Sequence, residues 1–214
     1  GLNLRPSARL LLFFTYDPWA YTPDYMMEKG EMHWDTLRNE THAEILLFAK
    51  AHPETDVVIK AHPQQLDLAE LQSDIDASGL TNVHLATGAR LSNHLIVNAD
   101  CIVGFQTTAL IESMVTDKPI IYTFWGEART KWSNDLIPFH QTKGVRVATA
   151  PDDLFHELER AFQQTNLTPE EYEARRAFVS EYLSFVDGRS SERTLTALRR
   201  LLPAASQTTP RIEK

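Results

Sequence analysis

The sequence has a single cysteine, Cys101, in 214 residues. One thiol excludes an internal disulfide, and its place inside an apolar stretch marks it as a buried, unreactive side chain rather than a nucleophile. Long hydrophobic runs are missing too. No stretch approaches the roughly 18 apolar residues that a membrane-spanning helix needs, and the first residues lack the pattern of a signal peptide, so a cytoplasmic protein is expected. Basic residues number 21 against 29 acidic ones, a formal charge of −8. That balance argues against a nucleic-acid partner, and any phosphate ligand has to be held by local groups rather than by a basic field. Neither GxGxxG nor a P-loop occurs, so the familiar dinucleotide and triphosphate fingerprints are absent. No carboxylate pair, metal-ligand cluster or Ser/His/Asp set forms a catalytic constellation; catalytic residues stay unassigned, and no metal and no cofactor are expected. There are no internal repeats.

What is present is a regular alternation. Short apolar runs at 9–15, 56–61, 82–86, 100–104, 120–124 and 145–149 read as strands buried on both faces. Between and after them, segments 35–51, 66–78, 91–98, 109–115, 151–164 and 168–185 read as helices. In the first of these Leu37, Ile45, Leu46 and Phe48 turn inward. Asp35 and Ser92 are candidate caps, Gly79 supplies a left-handed cap, and Pro151 with two following acids suits a first turn. Strand and helix in alternation predict an α/β, Rossmann-like fold: a six-stranded parallel sheet with right-handed crossovers, helices on both faces and a helical C-terminal extension. One domain is expected over residues 1–203, with 204–214 a disordered tail by composition. The chain enters its first strand almost at once, as a fragment would.

The stretch 99–123, ADCIVGFQTTALIESMVTDKPIIYT, organises the candidate site. Gly104 ends its strand, Thr107 or Thr108 caps the helix that follows, and that helix starts where open α/β sheets bind ligands. Glu112 stands one turn beyond Thr108, so the two share a helix face: a hydroxyl for a phosphate and a carboxylate for a ribose diol. The plainer reading makes Thr108 a cap and Glu112 a solvated acid. His62-Pro63 ends the second strand, and the proline holds His62 extended, directing its imidazole off the sheet. A loop-ordering histidine is the alternative. Lys60, inside that strand, needs either a partner or an escape to the edge. Thr87-Gly88 follows the third strand, while His84, in mid-strand, is more readily a packed core residue. The aromatic loop 16–34 and the loop 125–143, with Arg129, Lys131 and His140, lie after strands and are candidate site loops. Asp100 sits at a strand start, away from this edge.

In their order and spacing, VVIKAHP, the strand-ending TG, ADCIVGFQTTALIESMVTDKPIIY and VDGRSSERTLTAL resemble the C-terminal half of GT-B glycosyltransferases over residues 56–200. The nearest variants are CDP-glycerol glycerophosphotransferases, capsule and lipopolysaccharide Kdo transferases, and UDP-N-acetylglucosamine 2-epimerases. The resemblance implies that His62 and Pro63 meet the donor's nucleotide or phosphates. It implies that Gly104, Gln106, Thr107 and Thr108 cradle the phosphates and that Glu112 holds the ribose, with Thr87, Gly88, Arg129, Ser190 and Ser191 as further contacts. Serines often stand in the family where this chain has Gln106-Thr107-Thr108, which leaves the donor's base and phosphate count open. Ser190 or Ser191 can equally be a plain helix cap. The partners implied are a nucleotide sugar or CDP-polyol, a saccharide or lipid-linked acceptor, and an N-terminal GT-B domain, with the protein cytoplasmic and peripheral to the inner membrane through other parts. The function implied is metal-independent transfer from a CMP-, CDP- or UDP-activated donor in surface-polysaccharide synthesis. A sugar-nucleotide epimerase half and a non-catalytic nucleotide-binding or docking module are the alternatives.

Overall fold

The computed structural model describes residues 2, 4–6, 8–63, 65–88, 91–184 and 187–201. Its elements run β1 (Arg9–Phe14), α1 (Asp24–Met27), α2 (Asp35–Ala51), β2 (Thr55–Lys60), α3 (Leu68–Ser78), β3 (Val83–Ala86), α4 (Ser92–Asn98), β4 (Cys101–Gly104), α5 (Thr108–Ser113), β5 (Ile120–Thr123), α6 (Glu127–Thr130), β6 (Arg146–Ala148), α7 (Pro151–Gln163), α8 (Pro169–Leu183) and α9 (Ser190–Leu201). The tail 204–214 lies outside the described residues, as do Phe185 and Val186. No described helix is long and apolar enough to cross a membrane.

The six strands form one sheet in the order β3-β2-β1-β4-β5-β6, with every pair parallel. Parallel strands buried on both faces have no use for alternation. Thus TDVVIK of β2 and IIYT of β5 are buried at every position. The first three strands step one way across the sheet and the last three the other. Right-handed crossovers then place α2 and α3 on one face, and α4 and α5 on the other. After β6, α7 returns to pack on α2, and α8 packs on α5. Leu11, Leu12, Phe13, Val57, Val58, Ile59, Ile102, Val103 and Ile121 form the fully buried centre, each such side chain contributing about 1.5–3 kcal/mol on leaving water.

Helix ends follow local chemistry. Gly79 closes α3 in the left-handed region, with φ of 67°. α7 opens on Pro151 with Asp152 and Asp153 in its first turn, and buries Leu154, Leu158 and Ala161 along one stripe. Thr168 and Glu171 form a reciprocal capping box at α8. Two expected caps are corrected. Asp35 and Ser92 are the first helical residues of α2 and α4, preceded by Trp34 and Leu91, which make no side-chain cap. Asp35 sits instead where a carboxylate meets the positive helix end. In α2, Leu37, Ile45 and Phe48 are buried while Leu46 is only partly so, and the same helix buries two polar residues, Arg38 and Thr41. α9, like the single turn α1, has no buried side chain, and it leaves Leu195, Leu198 and Leu201 exposed.

Cys101 is fully buried and free, and burial pushes its thiol up to about 12. Asp100 accepts from the Leu10 N–H at 2.8 Å, at the amino end of the sheet.

Candidate functional site

The register fixes which residues share the carboxyl edge. Ala86, Lys60, Phe14, Gly104 and Tyr122 pair across neighbouring strands, so the turns beyond them come out along one rim. β1 and β4 are neighbours whose connections leave in opposite directions. This is the switch point, where a crevice opens outside the strand ends.

β4 delivers the central turn. A Cβ on Gly104 would lie 3.1 Å from Leu110 Cδ2, so glycine lets α5 settle on the strand end. Thr107, in extended conformation, is the cap, and its hydroxyl accepts from the Ala109 N–H at 3.3 Å. Thr108 is the first helical residue and is exposed, as is Glu112 one turn on. α5 is only six residues long, shorter than the span 109–115 expected from sequence, because the Met114 N–H tightens the last turn onto Leu110 and Ile111. Gln106 takes a different part from the one the resemblance implied. Its amide donates to Tyr122 Oη at 2.8 Å and to the Ile137 carbonyl at 3.0 Å, and accepts from the Ile137 N–H at 2.8 Å. It is buried, and it anchors the loop 125–143 to the β4 turn rather than facing the crevice.

β2 delivers His62 and Pro63, both exposed. The turn is closed by Gln65, which the sequence reading passed over. Its Oε1 accepts from the His62 N–H at 3.1 Å, while its own N–H donates to the His62 carbonyl. Lys60 does not escape to solvent. It is 2 % exposed, and its ammonium donates to the Ala61 carbonyl at 2.5 Å. Burial pulls its pKa down. Thr87 and Gly88 are exposed beyond β3, with Gly88 at φ of 93°.

The aromatic loop 16–34 walls this edge. Tyr16 and Trp34 are buried and pack on Phe105, with ring centroids 5.2 and 5.0 Å away. The Trp34 indole N–H donates to the Ala20 carbonyl, and the Thr22 hydroxyl to that of Met32. Tyr21 in the same loop has φ of 66° and brings its hydroxyl near Thr107, while partial burial raises the hydroxyl pKa. A non-glycine residue in that region is uncommon, and such strain gathers at sites. Nothing in the loop's sequence singled Tyr21 out; only the fold brings it to Thr107.

The remaining candidates are spread out. Arg129 is exposed on α6. His140 stacks on Phe124 at 4.2 Å, and burial lowers its pKa. His84 is half-buried on the outer strand β3, 3.9 Å from Asp56. Ser190 and Ser191 lie within the first turn of α9 rather than at its cap, and the turn before them is held by Asp187, which accepts from the Arg189 N–H and pairs with Arg193. Among the described residues no group of three His, Cys, Asp or Glu is placed to hold a metal ion.

Residues 23–199 match the model of the CDP-glycerol:poly(glycerophosphate) glycerophosphotransferase family. Among solved structures, a variant of the wall teichoic acid polymerase TagF superposes with a TM-score of 0.59 at 14 % identity, over 93 % of this chain and 45 % of that one. HepE of Anabaena, in complex with UDP and glucose, gives 0.52 at 15 %, over 91 % and 49 %. UDP-GlcNAc 2-epimerase of Neisseria meningitidis, bound to UDP-GlcNAc, gives 0.50 at 14 %, over 85 % and 46 %. The chain thus spans under half the length of these structures, and at such identities they establish the shared fold. No curated protein matches it in sequence. The match over residues 23–199 takes in most of the chain, including the His62-Pro63 turn and the segment from Gly104 to Glu112, and the chain belongs to the CDP-glycerol glycerophosphotransferase family.

Proposed function

We propose that this chain is the nucleotide-donor half of a two-domain GT-B transferase in bacterial surface-polymer synthesis, moving a glycosyl or polyol-phosphate group from a CMP-, CDP- or UDP-activated donor without a metal ion. One observation carries the reading: in a chain of this family, the turns holding His62-Pro63, Thr87-Gly88 and Gly104–Thr108 come out on one rim at the β1–β4 switch point. In transfer, an acceptor hydroxyl oxygen attacks the activated carbon or phosphorus of the donor. The bond to the nucleotide's phosphate oxygen breaks, and the departing phosphate gains negative charge. Backbone N–H groups of the β4–α5 turn, the Thr108 hydroxyl and the His62 imidazole are suited to stabilise it. Glu112 is suited to the ribose hydroxyls. The acceptor site and the base that takes its proton are assigned to the other half. Donors of this kind are cytoplasmic, so the enzyme would work at the cytoplasmic face of the membrane, held there by other parts.

Titration calorimetry of the chain with CMP, CDP and UDP tests this. Binding of at least one is expected, and Glu112→Ala should weaken it by about 1–3 kcal/mol by leaving two hydroxyls unpaired. His62→Ala should lower affinity and leave the melting temperature nearly unchanged. Absence of heat with all three nucleotides at millimolar concentration would overturn the reading. An epimerase half shares the fold, but the family match favours transfer.

A further inference from the structure

β2 ends on a buried cation that neither the apolar core nor the donor site described above uses. Lys60 pairs with Phe14 of β1 and Ala86 of β3, the last residues of those strands, so it stands in the final row of the sheet. It is 2 % exposed, and its ammonium reaches one step further along the chain, to the Ala61 carbonyl at 2.5 Å. That carbonyl belongs to the residue just before His62. On the neighbouring strand Thr87-Gly88 follows directly after Ala86, so the ammonium lies at the foot of two of the three rim turns.

The charge is poorly compensated. An ammonium carries three donors, and among the described residues this one has a single acceptor, a neutral carbonyl. No carboxylate of the described residues lies within ion-pair distance of it. Asp56, on the same face of β2 by strand alternation, is held by the backbone N–H and the guanidinium of Arg5 at 2.6–2.8 Å, with His84 at 3.9 Å. Burial alone acts on the Lys60 pKa and pulls it down, with no neighbouring acid to hold it up. Replacing buried ions by apolar groups is often neutral or stabilising, and every other residue of β2 is buried too. Lys60 thus works against the fold that holds it, which is the pattern of a group kept for function.

We infer, on the reading of this rim as a nucleotide-donor site, that Lys60 is a positioning residue whose buried charge supplies the positive potential for the donor's phosphates. A chain with a formal charge of −8 repels an anion at long range, so attraction has to come from a cation close to the rim. None of the residues in His62-Pro63, Thr87-Gly88 or Gly104–Thr108 carries a permanent positive charge. Lys60 carries one directly behind them. A charge in a low-dielectric interior acts across neighbouring groups with little screening by salt, so the ammonium does its part without touching the phosphate. Its bond to the Ala61 carbonyl keeps it beneath the His62 turn rather than in solvent.

The test compares the full chain with its Lys60→Met and Lys60→Gln forms by titration calorimetry at low and high salt, with inorganic pyrophosphate, CDP and UDP as probes. Pyrophosphate should bind the native chain about tenfold more tightly than either variant, the size of one charge acting through a partly buried medium, and CDP or UDP should show the same loss. The difference should persist at high salt, where the contribution of a surface lysine fades. Both variants should melt within about 3 °C of the native chain or above it, because a buried charge has been removed. Equal affinities in the native and Met forms would overturn the role of Lys60. So would native affinity in the Gln form, which makes the hydrogen bond to Ala61 the cause, or failure of both variants to fold, which makes the ammonium part of the fold. Pyrophosphate bound by the native chain and weakened in the variants, with no heat from CDP or UDP, would keep Lys60 and sink the donor reading; nucleotide bound equally by all three forms would do the reverse. No binding of any probe by the native chain would overturn both.

Discussion

His42 makes the fold sensitive to acid. Its Nε2 lies 2.7 Å from the Thr15 hydroxyl, and its ring meets Phe13 edge-on at 5.0 Å. Desolvation by burial, with Arg38 nearby as a lesser cause, brings its pKa down from 6.5 to about 3. The folded chain therefore binds fewer protons at this site than the unfolded chain does, and the contribution is fully present above the unfolded pKa. It falls as the medium is acidified below about 6.5 and is lost progressively as pH approaches about 3. Between pH 7 and pH 5 the two pKa values imply a loss of roughly 2 kcal/mol from this residue. Urea unfolding of the native chain and of His42→Gln at both pH values isolates the effect, because glutamine can still bond Thr15 but does not titrate. The native chain should lose about 2 kcal/mol more than the variant. An equal loss in both would show that His42 takes up its proton without cost, and the reasoning from burial would fail.

Two further substitutions probe how the elements are fastened. Arg175 of α8 is 1 % exposed and donates to the carbonyls of Gly144, Thr116 and Lys118, at 2.5–3.1 Å. Arg175→Met strands those carbonyls and should cost about 3–4 kcal/mol, a fall in melting temperature of roughly 10 °C; a fall under about 2 °C would mean that α8 is held by its apolar contacts alone. Gly104→Ala places a methyl 3.1 Å from Leu110, so an overpacking cost of about 1–2 kcal/mol is expected by chemical denaturation, with weaker nucleotide binding as α5 is displaced. An unchanged affinity would separate the turn from the donor.

The sequence reading located all six strands and their order along the chain, because a strand buried on both faces leaves an apolar run that no amphipathic helix imitates. VVI of β2 and IIY of β5 are such runs. It located the rim for the same reason: Pro63 and Gly104 are where strands must stop. The lateral order of the strands, β3-β2-β1-β4-β5-β6, was not legible in any residue, because handedness sets the face a crossover takes and not the neighbour it reaches. What it missed are contacts between segments distant in the chain. Gln106 stands beside two threonines and reads as one more hydroxyl-rich turn residue, yet its bonds go to Tyr122 and Ile137. Arg38 falls at a helical position where periodicity expects an apolar side chain or a solvated one, and only the approach of Asp67 lets a guanidinium stay there. Each error concerns a polar residue whose partner lies elsewhere, and hydrophobic period carries no such information.

The proposed division of labour follows from how the rim is walled. On the β1 side, Tyr16, Trp34 and Phe105 form a packed aromatic block that seats the loop 16–34 on the β4 turn, with Tyr21 near Thr107 on a backbone at φ of 66°. On the open side, His62, Thr87, Thr108 and Glu112 are exposed. A nucleotide seated there would be gripped along one flank and wet along the other. Binding tolerates that arrangement, since backbone N–H groups and an imidazole hold a phosphate in the presence of water. Transfer does not, because water competes with the acceptor for an activated donor and weakens every electrostatic contact to the leaving phosphate. A rim of this shape therefore suits a half-site whose dry wall is supplied by an opposing domain.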